Sequence, residues 1–400
     1  MTMENQPKNE KRRPRRESTR RLWPSVTVAV LCIVGVIIAA LFMGRSNGPA
    51  DPDDGNKTVI HLTAGGDLNV TNDVVAAAGS DGSFQKAFMD VLPLLSNADI
   101  SILNFEGNFH GEPYGSESRS APASLAKALA AAGVDILQLA NSCSVSGGIA
   151  GLVSTIDTVE HSALIPLGAY RSPEEAKKEK GYTLVEVQGI RIAFVAFTKG
   201  MDGMTLPAGT EGCINLLYKD YDSTYQQVDT EGITKVMNRV HAASPDIIVA
   251  MVHWGSEFND SISKTQKQIK ELLQENGADA IIGTHPHYVQ KLEFDKETGA
   301  FVAYSLGDFF GDATRAGSEY SILLDLEITK NHQTGETKVT GYSYTPIFTV
   351  RQEFRDLRVM RIKETMAAYE NNYMDRVPES VYKAMEYALK RIEARVKGES

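Results

Sequence analysis

The stretch Ala280-Ile281-Ile282-Gly283-Thr284-His285-Pro286-His287 ends an apolar run in two imidazoles separated by one proline. Residues i and i+2 of extended chain point to one side, so His285 and His287 are read as a pair with their nitrogens facing together. Other chemistry-bearing groups stand where apolar runs stop. They are Asp67 and Asn69 in GGDLNV, Asn104 and Glu106 in LNFEGN, and Asn141, Ser142 and Cys143 in LANSCSVSGG. Further along come His253 and Glu257 in MVHWGSEF, and Asp308 in YSLGDFF. Imidazole nitrogens mixed with carboxylate and amide oxygens suit Zn²⁺, Mn²⁺ or Fe. A carboxylate such as Glu106 can bridge two ions, and an ion pair can clamp both oxygens of a displacement reaction.

Taken singly, each group has a plainer explanation. Asp67 can cap a helix, and His253 can be a hydrogen-bonded core imidazole. Asn104, Asn141 and Asp308 can be turn formers, and Glu257 a capping or orienting residue. Their joint occurrence at the ends of successive strands is what argues for a site.

Those ends belong to an alternating pattern of strands and helices from Thr58 onward. VIHLTAGG, DISILNFE, VDILQLAN, LIPLGA, DIIVAMVHWG and DAIIG read as strands, with PASLAKALAAAG, LVSTIDTVEHSA and EGITKVMNRVHAA as helices. A further helix near 262–276 places Ile269, Leu272 and Leu273 on one face, with Asn276-Gly277 as its stop. YTLVEVQGIRIAFVAFT reads as a hairpin turning at Gln188-Gly189. The fold class is therefore α/β: a largely parallel buried sheet flanked by helices, with mixed pairing at an edge. In such sheets ligands collect beyond the carboxyl ends of the strands. Residues 351–400 read as a charged helical appendage.

The 400-residue chain has a formal net charge of −10, yet its first 45 residues hold nine Lys/Arg against three acids. The body is thus strongly acidic, which argues against nucleic acid as a partner, because neutralising phosphates needs Lys and Arg. Residues 26–43, VTVAVLCIVGVIIAALFM, are free of charge and span about 27 Å as a helix. With a basic arm (1–24) before it and only Arg45 after, a transmembrane anchor over 25–44 would keep the N-terminus cytoplasmic and the body extracellular. Residues 45–57, rich in Gly, Pro and Asp, form the linker. A Cys143–Cys213 disulfide is permitted but not deducible.

GGDLN, LNFEGN, VHWGSEF, GADAIIGTHPHYVQ and YSLGDFF, in this order, resemble the capsule-synthesis CapA family, which includes the PgsA-type proteins of poly-γ-glutamate production. The likeness covers about 58–350. It implies kinship with calcineurin-like metallophosphoesterases: a double β-sandwich flanked by helices, holding a divalent metal pair. On that resemblance Asp67, Glu106, His253, His285 and His287 are the metal ligands. Asn69, Asn104, Asn141, Ser142 and Asp308 are further ligand or substrate contacts. One segment departs from the family's A-N-N-H-x-x-D-x-G: here Ser142, Cys143 and Ser146 replace the amide, the histidine and the aspartate. A thiol does not shuttle protons as an imidazole does near neutral pH, so hydrolysis is expected to be weakened or absent.

The resemblance implies an anchored extracytoplasmic protein that assists poly-γ-glutamate synthesis or export beside the membrane subunits of a synthase. Its ligand would be the anionic polymer or a small molecule. Two alternatives stand: a metal-dependent hydrolase of phosphoesters or polyglutamate, and a polymer-binding module with a degenerate site. In the first, Cys143 as nucleophile and Glu257 are the further catalytic candidates.

Overall fold

The computed structural model describes residues 55–313, 315–351, 357–373 and 377–399. The basic arm, the expected membrane span and the linker as far as residue 54 lie outside the described residues. Among those described, no helix is long and apolar enough to cross a membrane.

Two mixed sheets carry the chain. In the first, β1 (Lys57–Asn69), β2 (Ile100–Glu106), β3 (Ile136–Gln138) and β4 (Ile165–Leu167) lie parallel and side by side. In the second, β5 (Thr183–Val187) and β6 (Ile190–Thr198) form the expected hairpin, with Gln188 and Gly189 at φ 50° and 80°. Two left-handed residues give the turn that matches strand twist. β7 (Ile247–His253) and β8 (Ala280–Thr284) extend that sheet in parallel; then come β10 (Phe301–Ala303) and, at its edge, antiparallel β9 (Leu292–Phe294). The chain returns to the first sheet with β11 (Asp308–Phe310), which pairs with the end of β1. The long strands β12 (Tyr320–Asn331) and β13 (Thr337–Arg351), with the short β14 (Leu357–Arg361), complete that sheet.

The sequence pattern predicts one largely parallel sheet, and the structure has two mixed ones. Only five residues separate β12 from β13. A connection that short permits antiparallel neighbours and forbids a parallel crossover.

The sheets approach each other where Gly168, just after β4, meets Ala196 of β6: a side-chain carbon on Gly168 would lie 2.7 Å from the Ala196 methyl. The other face of the second sheet is covered by two amphipathic helices. Ile233, Val236, Met237 and Val240 of Thr230–His241, with Ile269 and Leu273 of Lys264–Glu275, pack on Val195, Ile248, Ala250 and Ile281. Each such side chain contributes about 2 kcal/mol on burial, before the entropy of ordering is charged against it.

Two close approaches register the strand ends. A side-chain carbon on Gly66 would sit 1.8 Å from the Gly307 carbonyl oxygen, so only glycine lets β1 meet the segment leading to β11. Trp254, fully buried, donates its indole N–H to the Tyr304 carbonyl at 2.8 Å and pins the end of β7. At the C-terminus the helix Glu379–Lys397 buries Met385, Ala388, Ile392 and Val396 and packs on β12 and β13.

Candidate metal centre

Strand register brings the polar groups together. Asp67 is opposite Asn104 on β2 and also opposite Asp308 on β11, while Asn69 is opposite Glu106. On the second sheet, His253 ends β7 opposite Thr284, and His285 follows at once. The His285 backbone N–H donates to Asp67 Oδ2 at 3.0 Å, which ties the two sheets at this point.

The Asn104 amide donates to Asp67 Oδ1 at 2.7 Å, and its own oxygen accepts from Asn141 at 3.0 Å. His287 Nδ1 lies 2.8 Å from Asp308 Oδ1 and 3.5 Å from both Asp67 Oδ2 and the Asn69 amide. His253 Nε2 lies 3.3 Å from Glu106 Oε1, and its Nδ1 meets the Thr284 hydroxyl at 3.1 Å. The rings of His253 and His285 are 4.5 Å apart between centroids. Asp67, Asn104, Glu106, His253, His285, His287 and Asp308 are all buried.

One local expectation is corrected. β8 stops at Thr284, and His285 and His287 adopt left-handed backbone, at φ 93° and 58°. The two imidazoles therefore leave a tight turn, not one side of a strand, with ring planes at 55°. Hydrogen bonds fix this costly conformation: His285 N–H to Asp67, and the Phe258 N–H to the Pro286 carbonyl at 2.8 Å. Phe258 also stacks on His287, at 5.0 Å between centroids.

Burial controls the charges. It raises the Asp67 carboxyl to about 6, with Asp308 adding to the rise and His287 and the Asn104 amide opposing it. Burial and then Asp67 push Glu106 well above the usual carboxylate range, and burial raises Asp308. Burial and neighbouring cationic groups hold His253 and His285 well below the ordinary imidazole value, so both stay neutral. For His287 burial also disfavours the charged form, but Asp308, Glu106 and Asp67 outweigh it and raise the ring well above its ordinary value.

A divalent ion fits these residues. Among the described residues, His253 Nε2 and His285 Nδ1 are buried without a hydrogen-bond partner. Unpaired buried polar atoms cost about 1–3 kcal/mol each, and coordination would relieve that cost. Three overlapping triples, Glu106/His285/His287, Asp67/His287/Asp308 and Asp67/Glu106/His253, each bring ligand atoms within 4.8 Å of one another. Triples that share Asp67, Glu106 and His287 suit two adjacent ions.

The remaining candidates divide. Ser142 is buried beside the cluster and borders the adjoining cavity. Asn141 orients the turn: its amide donates to the Phe105 carbonyl at 2.7 Å, and its oxygen accepts from the Cys143 N–H at 3.0 Å. Glu257 is exposed, with its carboxylate 4.0 Å from His287 Nε2. Cys143 is buried, and burial and then Glu106 push its thiol up to about 12. Its sulfur has Ser142 Oγ as neighbour at 3.7 Å. A thiol so held stays protonated, which removes support for Cys143 as a nucleophile. Cys143 and Cys213 are both free thiols.

Sequence reasoning passed over Lys199. It directly follows β6, but a lysine is not a metal-ligating type, and only the fold brings it beside the histidines. Its backbone N–H donates to the His253 carbonyl at 2.8 Å, and its ammonium lies 3.3 Å from His285 Nε2.

The fold and the cluster define a class: two-sheet α/β proteins with a buried His/carboxylate site at the carboxyl ends of their strands. Sequence comparison narrows this. The family described as bacterial capsule synthesis protein PGA_cap matches residues 61–313, and the chain belongs to that family. "Capsule biosynthesis protein CapA" of Bacillus anthracis is 26% identical over 327 residues, covering 79% of this chain and 75% of that protein. "PGA biosynthesis protein CapA" of Bacillus subtilis (strain 168) is 28% identical over 206 residues, covering 51% of this chain and 50% of that one. Among solved structures, a phosphatase of Mycoplasma pneumoniae aligns at a TM-score of 0.46 and 13% identity, over 74% of this chain and 96% of that one.

Proposed function

We propose that this protein assists the synthesis or export of the poly-γ-glutamate capsule polymer, anchored by residues 25–44 with its body outside the membrane and acting beside the membrane subunits of a synthase. The observation that carries the reading is membership of the capsule-synthesis family over 61–313. Asp67, Glu106, His253, His285, His287 and Asp308 would hold a divalent ion pair of Mn, Zn or Fe. Such ions would draw in an anionic oxygen of the ligand and polarise it. Asn104 holds Asp67 by its amide, and Asn141 holds Asn104 in turn. The net charge of −10 opposes a polyanion, so contact with the polymer must run through local groups.

Deleting the coding sequence in the producing organism is expected to abolish or sharply lower capsular poly-γ-glutamate, with recovery on complementation. Affinity purification of the full-length chain from solubilised membranes is expected to bring synthase subunits with it. Unchanged polymer output together with no such complex removes the reading.

The unpaired nitrogens of His253 and His285 favour a second reading, a metal-dependent hydrolase of phosphoesters or of the polymer. Against it, Cys143 offers no proton to a leaving group near neutral pH. The test is the purified full-length chain with Mn²⁺ or Zn²⁺, given a generic phosphodiester or poly-γ-glutamate. Cleavage abolished by His285→Ala establishes the hydrolase. Bound metal with no turnover leaves the site as a binding centre.

A further inference from the structure

Beside the cluster lies a cavity of about 300 Å³, bordered among others by Ser142, Lys199, Asp202, Tyr225, Glu257 and His285. Its charges are ordered in depth. Lys199 is half-buried: its ammonium donates to the Gly255 carbonyl at 2.9 Å and stands 4.7 Å from the Tyr225 ring centroid. Among the described residues this ammonium forms no ion pair, although the carboxylates of Asp202 and Glu257 border the same cavity. Those two carboxylates are exposed. On the wall shared with the cluster stands His285, its ring buried and Nδ1 without a hydrogen-bond partner. Asp202 and Glu257 act on this half-buried ammonium through space without touching it, which leaves its free donors to an anionic guest, since desolvated charge needs a contacting partner. Two exposed carboxylates at the same cavity favour a cationic group on that guest.

Resting on the reading of poly-γ-glutamate as the ligand, we propose that this cavity receives the amino-terminal unit of the polymer, the one unit that carries a free ammonium beside its α-carboxylate. Lys199 pairs with that α-carboxylate, and Asp202 and Glu257 with the ammonium. A unit inside the chain has only the carboxylate, because its nitrogen is tied up in the γ-amide. Such a unit would meet Asp202 and Glu257 with like charge and no compensation. The volume agrees: about 300 Å³ is the small end of ligand pockets and suits one amino-acid unit better than a length of polymer. The protein would then engage a chain end and leave the polyanionic body of the polymer in solvent.

The test is calorimetric titration of the full-length chain, with Mn²⁺ present, by γ-glutamyl-glutamate and by the same dipeptide acetylated on its amino group. The free dipeptide is expected to bind at least about tenfold more tightly, the loss expected for one charge-assisted contact. In the double variant Asp202→Asn/Glu257→Gln that ratio is expected to approach one, while Lys199→Gln weakens both ligands. The wild-type comparison needs no variant, and unchanged circular dichroism spectra check that the variants fold. Equal affinity for the two dipeptides overturns the inference. So does a ratio that the double variant leaves intact. Long poly-γ-glutamate that binds the same with its amino end free or acetylated overturns end recognition yet leaves the polymer reading standing. If neither dipeptide nor polymer binds, the inference falls, and polymer output in the deletion strain decides the broader reading separately.

Discussion

Asp67 is the residue on which most of the site's electrostatics turns. It is opposite Asn104 and Asp308 in the strand register, accepts the His285 N–H, and is fully buried. With its folded value raised to about 6, it holds a proton more tightly folded than unfolded. Without metal its contribution to stability is therefore full below about pH 4 and is lost as pH rises through about 6. A divalent ion binds the ionised form, so the stabilisation it confers runs the other way and grows over that range. Thermal melts with Mn²⁺ and with a chelator are expected to differ by several degrees more at pH 7.5 than at pH 5. Equal differences at both values would mean that Asp67 does not ligate.

At the scale of elements, the site depends on backbones meeting at the sheet edge. β1 reaches β11 because neither Gly66 nor Gly307 has a side chain; the Asp67 N–H donates to the Gly307 carbonyl at 3.0 Å. The Gly66→Ala change drives a methyl into that carbonyl, 1.8 Å away. Overpacking against backbone is expected to cost about 3 kcal/mol, read as a lower urea midpoint. Mn²⁺ affinity should fall with it, because Asp308 shifts relative to Asp67. A wild-type midpoint would show that the two segments separate more readily than this packing implies.

Across the whole molecule, the C-terminal helix reaches back to the loop beyond β7. Arg391 and Arg395 each lie 3.4 Å from Asp260, three residues from Glu257, and Arg395 also stands over the rings of Tyr288 and Tyr320 at 4.5 and 5.3 Å. Gln290 secures the same loop through the Asn259 carbonyl at 2.9 Å and through Gln266 of the neighbouring helix at 2.9 Å. Arg395 is buried against two tyrosine rings, so Arg395→Ala is expected to cost about 2 kcal/mol in chemical unfolding, mainly through lost packing. Mn²⁺ affinity should drop as well, since Phe258 in that loop stacks on His287. Undiminished stability would reduce the helix to a passenger on the fold.

The residue types of the cluster, the order of its strands, the Gln188-Gly189 hairpin and the family motifs could all be read in the sequence, because each is written in local pattern: apolar runs, their stops, a turn dipeptide. Three features could not. Asp308 becomes central only because β11 returns from the second sheet to lie beside β1. The two histidines converge from a left-handed turn that Asp67 of β1 and Phe258 of the loop after β7 hold in place. Lys199 gains its meaning from His253 and His285, distant in sequence. Local propensity reports which way a side chain faces within its own element. Which groups then share a desolvated space is set by long-range register and close packing, and those exist only in the folded molecule.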